Sequence, residues 1–153
     1  MMQPVPFWFL TFIHADSVWW HRFLRPGYGH CWAFGYSPAS ETEAGRWVVF
    51  DPAFEGLQVR LAGEAEVAGW FQLNALRAAT ILRIKPPAHA VRRPRLVVTC
   101  AGALAALVGL RETPLTPWRL ACIARRYGAE KVTDEQSGQG PGDAAEVAGG
   151  GSH

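Results

Sequence analysis

Over the first 85 residues, apolar and polar positions fall into short blocks of strand periodicity, broken by Gly, Pro and small polar residues. FWFLTFI, residues 7–13, is aromatic and β-branched and predicts a strand. The break at His14-Ala15-Asp16-Ser17 offers Asp16 or Ser17 as cap for a short helix over residues 18–24, and RPGYG at 25–29 reads as a loop. HCWAFGY (30–36) and RWVVFDP (46–52) predict two more strands, which a short polar connection makes an antiparallel pair. GLQVRLAG predicts a further strand with Leu57, Val59 and Leu61 on one face, and TILRIK (80–85) alternates as a strand does. EAEVAGWFQLNALRAA, between those two, is ambiguous and fits a helix laid across a sheet.

The pattern then changes. PPAHAVRRP is an extended loop, and LVVTCAGALAALVGL predicts a helix from Cys100 to about Leu110, capped by Thr99, with Gly109 near its end. A second helix follows over 117–127, with Thr116 as cap, Pro117 in the first turn and Gly128 as the stop. From about Asp134 the chain is Gly, Ala, Gln, Ser and Glu with almost no large apolar residue, a composition that cannot offset the entropy of ordering. The expected architecture is one α+β domain over residues 1–134 and a disordered tail over 135–153. In the domain, an antiparallel sheet of about four to six strands packs against the Cys-bearing helix.

Composition narrows the function classes. Of the 153 residues, 49% are hydrophobic and 18% charged, enough apolar material for a single core. A formal charge of +2 gives no basis for nucleic-acid binding. Arg77, Arg83, Arg92, Arg93 and Arg95 form a local basic stretch without interleaved aromatics, which reads as a solvated face or strand edge. The N-terminal apolar run lacks a basic leader and holds Pro4 and Pro6, and no run reaches membrane-spanning length, so neither an export signal nor a membrane span is expected. Three unpaired cysteines suit a reducing compartment, and the absence of CxxC and HExxH patterns leaves no expectation of a metal or other cofactor.

Chemistry centres on Cys100. It opens an apolar helix, where free backbone N–H groups and the helix dipole favour a thiolate. His30 follows a Gly-rich loop and opens a strand, so its ring can face a groove; Asp51 ends the partner strand. If 30–36 closes on 46–52, His30 and Asp51 lie side by side, and the carboxylate can orient the imidazole. Each residue also has an ordinary reading: a packed core thiol, a surface histidine and a turn former before Pro52. Cys31 is expected to point to the face opposite His30 and to sit in the core, as is Cys122. His14 and His21 sit near aromatics and are expected to be exposed or packed, with a groove lining as the alternative; His89 lies in a Pro-rich loop with no visible partner; and Trp19, Trp20, Trp32, Trp47 and Trp118 are expected mostly in the core, with a groove lining as the alternative.

The order of a His opening a strand, a polar residue on the next strand and a Cys opening a helix resembles the circularly permuted NlpC/P60 branch of the papain-like superfamily. WWHRFLRPGYGHCWAF is similar to that group's helix, loop and His-bearing strand, and VVTCAGALAALVGL to its Cys-bearing helix. The whole pattern, through TPLTPWRLACIARRYGA, is also similar to small uncharacterised proteins encoded among bacteriophage morphogenesis genes. The resemblance spans roughly residues 7–130. It implies a papain-like fold with Cys100 as nucleophile, His30 as general base and Asp51 as orienter. The implied activity is that of a cysteine peptidase, amidase or acyltransferase on an amide or ester bond, with a peptidoglycan stem peptide among the substrates. The implied location is the bacterial cytoplasm or a phage virion. A non-catalytic virion or tail-assembly protein on the same fold, docked to phage structural proteins, is the competing expectation. A third is a module binding an acidic partner through the arginines of 77–95.

Overall fold

A computed structural model describes residues 5–15, 22–40, 44–53, 56–76, 80–87 and 99–132. Six antiparallel strands form one sheet in the order β4-β3-β2-β1-β5-β6: β1 is Trp8–Ile13, β2 His30–Ser37, β3 Arg46–Ala53, β4 Gly56–Ala62, β5 Thr80–Ile84 and β6 Glu130–Lys131. Three helices are seen among the described residues: α1 Glu64–Leu76, α2 Cys100–Leu107 and α3 Pro117–Arg126. The protein is therefore a mixed α+β fold, with the antiparallel sheet expected from strand alternation. The anticipated helix over 18–24 falls largely outside the described residues, as do His21, Trp19, Trp20, His89, the arginines 77, 92, 93 and 95, and the tail beyond 132.

Alternation along β1, β2, β3 and β5 sends side chains to two covered faces. On one, Leu10 and Phe12 of β1, Cys31 and Ala33 of β2, and Leu82 and Ile84 of β5 meet Ala101, Leu104, Ala105 and Val108 of α2 and Leu120, Ala121 and Ala124 of α3. On the other, Phe34 and Val49 pack with Val67 of α1, flanked by Phe9, Trp32, Trp47, Trp70 and Phe71. The second layer is built largely from rings: Phe9 stacks on Phe34 at 5.1 Å between centroids, and Phe71 meets Phe34 edge-on at 5.1 Å. Val67, Trp70 and Phe71 have helical i, i+3, i+4 spacing, which explains why α1 lies on this face. Trp32, Trp47 and Trp118 pack against these two layers but are only partly buried, rather than enclosed in the core.

Pairing of β2 with β3 runs from Ala33↔Phe50 to Ser37↔Arg46. Each strand is one residue longer than the sequence suggested. Continuing the ladder one step sets Asp51 against Trp32, on the same face as His30, which leaves the two side by side as the hairpin expectation had them.

Strand β4 forms an edge, and Leu57, Val59 and Leu61 do share a face, but they stay 58%, 60% and 50% exposed. Cys122 departs from expectation too: it is only partly buried on α3. The short strand β6 has no apolar alternation and is formed by its pairing with Leu82 and Arg83. No helix among the described residues is long and apolar enough to cross a membrane.

Candidate active site

Three chain segments converge where β2 begins. The first is the loop before it. Tyr28 is buried, its ring held between Phe12 at 5.4 Å and Trp118 of α3 at 4.8 Å, and its N–H donates to the Arg25 carbonyl at 2.9 Å. Arg25 lies over the Trp118 ring at 3.7 Å, which fastens the same loop to α3. Gly29 then donates its N–H to the Ile13 carbonyl at 2.9 Å, and a Cβ at this position would lie 2.7 Å from the Ala15 backbone nitrogen. Only glycine fits so close an approach, and the contact fixes where His30 enters the sheet.

The second segment is β3, which presents Asp51. His30 Nε2 lies 2.9 Å from Asp51 Oδ1, with the two side chains 24% and 36% exposed. The third is α2. Thr99 is its N-cap: Oγ1 accepts from the Gly102 N–H at 3.0 Å and donates to the Pro114 carbonyl at 3.3 Å. The cap therefore ties the start of α2 to the chain leading into α3. The helix ends at Gly109, whose φ of 75° allows the Leu110 N–H to reach the Ala105 carbonyl at 2.8 Å.

Cys100 is the first residue of α2, and His30 and Cys31 are the groups that act on its sulfur. With Nε2 committed to Asp51, the ring nitrogen left for Cys100 is Nδ1. The structure thus brings Cys100, His30 and Asp51 together, in the order sulfur, imidazole, carboxylate.

The electrostatics favour charge separation. A hydrogen bond from the Cys31 side chain is the largest influence on Cys100; burial opposes it, and the His30 hydrogen bond, the His30 charge and a Cys31 backbone hydrogen bond add to it. Together they lower the Cys100 thiol from 9.0 to about 4. For His30, burial is the largest influence and acts to lower its pKa, but it is outweighed by hydrogen bonds to Asp51 and Cys100 and by their charges. The imidazole is raised from 6.5 to about 9. Between these values the resting site is a thiolate–imidazolium pair.

Cys31 is the residue that sequence reasoning placed in the core without a further role. It is indeed fully buried, yet it lies in the core cluster against which Cys100 packs, and the two thiols influence each other's protonation. The sequence carries no signal for this, because it does not say which face of the sheet, and so which residues of β2, α2 covers. His14 is exposed. Arg83, the described member of the basic stretch, is exposed and lies over the Phe7 ring at 4.1 Å. No cluster of three or more His, Cys, Asp or Glu suited to a metal ion occurs among the described residues. Comparison of the chain with protein-family models, curated proteins and solved structures finds no match.

Proposed function

We propose that this protein is a cysteine-dependent hydrolase or acyltransferase acting on an amide or ester bond, with a permuted NlpC/P60-like, papain-like arrangement of its sheet and Cys-bearing helix. The observation that carries the reading is the Cys100–His30–Asp51 relay, with the thiol at the N-terminus of a capped helix and the imidazole held by a carboxylate at 2.9 Å. A structural cysteine gains nothing from an imidazolium beside it, whereas a nucleophile gains its reactive form at neutral pH.

The chemistry follows from the proton positions. The Cys100 thiolate attacks the substrate carbonyl carbon, and the electron pair of the C=O bond moves to oxygen. The Cys100 backbone N–H, in the first turn of α2, is placed to stabilise that oxyanion. As the C–N or C–O bond breaks, His30 gives its Nδ1 proton to the leaving amine or alkoxide, and an acyl thioester remains on Cys100. Neutral His30 then takes a proton from water, whose oxygen attacks the thioester. Collapse releases the acid and restores the thiolate–imidazolium pair. In transfer, an amine or alcohol replaces water. Asp51 holds Nε2 throughout, so that Nδ1 stays on the sulfur. A peptidoglycan stem peptide and a phage setting are the substrate and context to which the resemblance points.

Alkylation of the native protein by iodoacetamide across pH, with peptide mapping, tests this reading. Cys100 is expected to react as a thiolate from near pH 4 upward. A Cys100 that stays inert until pH 8–9, like an ordinary thiol, would sink the catalytic reading and favour the non-catalytic assembly protein.

A further inference from the structure

The proposed mechanism uses three side chains, but a fourth lies in the core cluster against which the reacting cysteine packs. Cys31 follows His30 directly, and strand alternation turns it to the opposite face of β2, beneath α2. It is 0% exposed and packed in the core cluster against which Cys100 lies, and its position is set by pairing with the fully buried Phe12 on β1. Two consecutive residues of one strand therefore bear on one sulfur, His30 at the start of β2 and Cys31 in the core cluster beneath α2.

We propose that Cys31 is a positioning residue for the Cys100 nucleophile, its buried S–H donating to the Cys100 sulfur from the core face of the sheet at the mouth of α2. This rests on the catalytic reading of Cys100 above. The direction of the S–H···S⁻ bond is fixed by environment. Burial, then the hydrogen bond and the charge of Cys100, push the Cys31 thiol well above its ordinary 9.0, so Cys31 keeps its proton and donates. His30 and Cys31 of β2 bear on the Cys100 sulfur directly, and Asp51 of β3 acts on both of them. Backbone geometry alone would be served by any residue at position 31. The S–H donor is what an alanine there removes.

The test is the pH profile of Cys100 alkylation in Cys31→Ala and Cys31→Ser, with thermal melts to follow the fold. In wild type the alkylation rate should inflect near pH 4. Cys31→Ala should move that inflection up by about one pH unit or more, and Cys31→Ser, which keeps a donor, should recover part of the shift. An unchanged inflection in a folded Cys31→Ala would overturn the role of Cys31 and leave the catalytic reading standing. An ordinary thiol profile in wild type would overturn both. A second measurement needs no change at position 31. In Cys122→Ser, the Raman S–H stretch should show one hydrogen-bonded band, from Cys31, that shifts when Cys100 is alkylated. A free S–H band that ignores alkylation would overturn the proposal even if Cys31→Ala failed to fold.

Discussion

At the scale of single residues, each member of the site has a different task, and substitutions should separate them. Cys100→Ala removes the nucleophile and should abolish turnover of an acyl ester or peptide substrate while leaving the fold intact, since alanine is a good helix former. His30→Ala removes both the proton donor and the counter-charge, and a loss of about 10²–10⁴ in rate is expected. Asp51→Asn keeps the ring contact but loses the charge, so the rate should fall less, and the alkaline limb of the rate profile should move down from about pH 9. Steady-state kinetics across pH check all three; equal losses for Asp51→Asn and Cys100→Ala would contradict the division of labour. Thr11 is a residue whose change should help. It is fully buried on β1, and its Oγ1 has no hydrogen-bond partner among the described residues. Thr11→Val keeps the shape and removes a desolvated hydroxyl, so urea unfolding should show equal or greater stability, by up to about 1 kcal/mol.

Secondary-structure elements explain why the site is held where it is. Thr99 caps α2 and also bonds to Pro114, so Thr99→Ala should cost about 1–2 kcal/mol by denaturant unfolding and lower Cys100 reactivity as the first turn frays. Thr116, which accepts from the Arg119 N–H at 3.3 Å, is the matched control: Thr116→Ala should cost about as much and leave Cys100 unchanged. Most of these elements are legible in the chain. The caps Thr99 and Thr116, Pro117 and the positive-φ stops Gly109 and Gly128 are local chemistry, and the structure uses them as the sequence implies. The strands of the first half are legible for the same reason, since alternation is also a local signal. Legibility ends where geometry is decided by partners distant in sequence. The residue-by-residue register of β2 with β3 depends on the ladder as a whole, although the hairpin alone already set Asp51 beside His30. The pairing of β6 with β5 has no signature in Glu130 and Lys131 themselves. The contact of Cys31 with Cys100 required knowing which face of the sheet α2 covers.

For the whole molecule, the site's charge separation should appear in folding stability. Unfolded, the Cys100 thiol and the His30 imidazole titrate near 9.0 and 6.5; folded, they titrate near 4 and 9. Below pH 4 both states hold both protons, so the pair contributes no slope. From pH 4 to 6.5 the folded chain has lost the Cys100 proton and the unfolded chain keeps it, so the unfolded state binds one more proton and stability rises with pH. From 6.5 to 9 each state holds one proton, on imidazole when folded and on sulfur when unfolded, and the slope vanishes. One proton sets a ceiling of about 1.4 kcal/mol per pH unit on the rising limb, and solvent screening at this half-buried site lowers it. The thiolate–imidazolium pair is thus expected to add a rise between pH 4 and 6.5 followed by a plateau to pH 9. It is isolated by subtracting the urea-unfolding stability of Cys100→Ala/His30→Ala from that of wild type at each pH, because the other titrating groups are common to both. A difference with no slope from pH 4 to 9 would mean that the folded and unfolded states titrate alike, which leaves a neutral thiol beside a neutral imidazole near pH 7–8. The nucleophile would then need a proton transfer before each attack, and the chain would lose the feature that most distinguishes it from an inert scaffold.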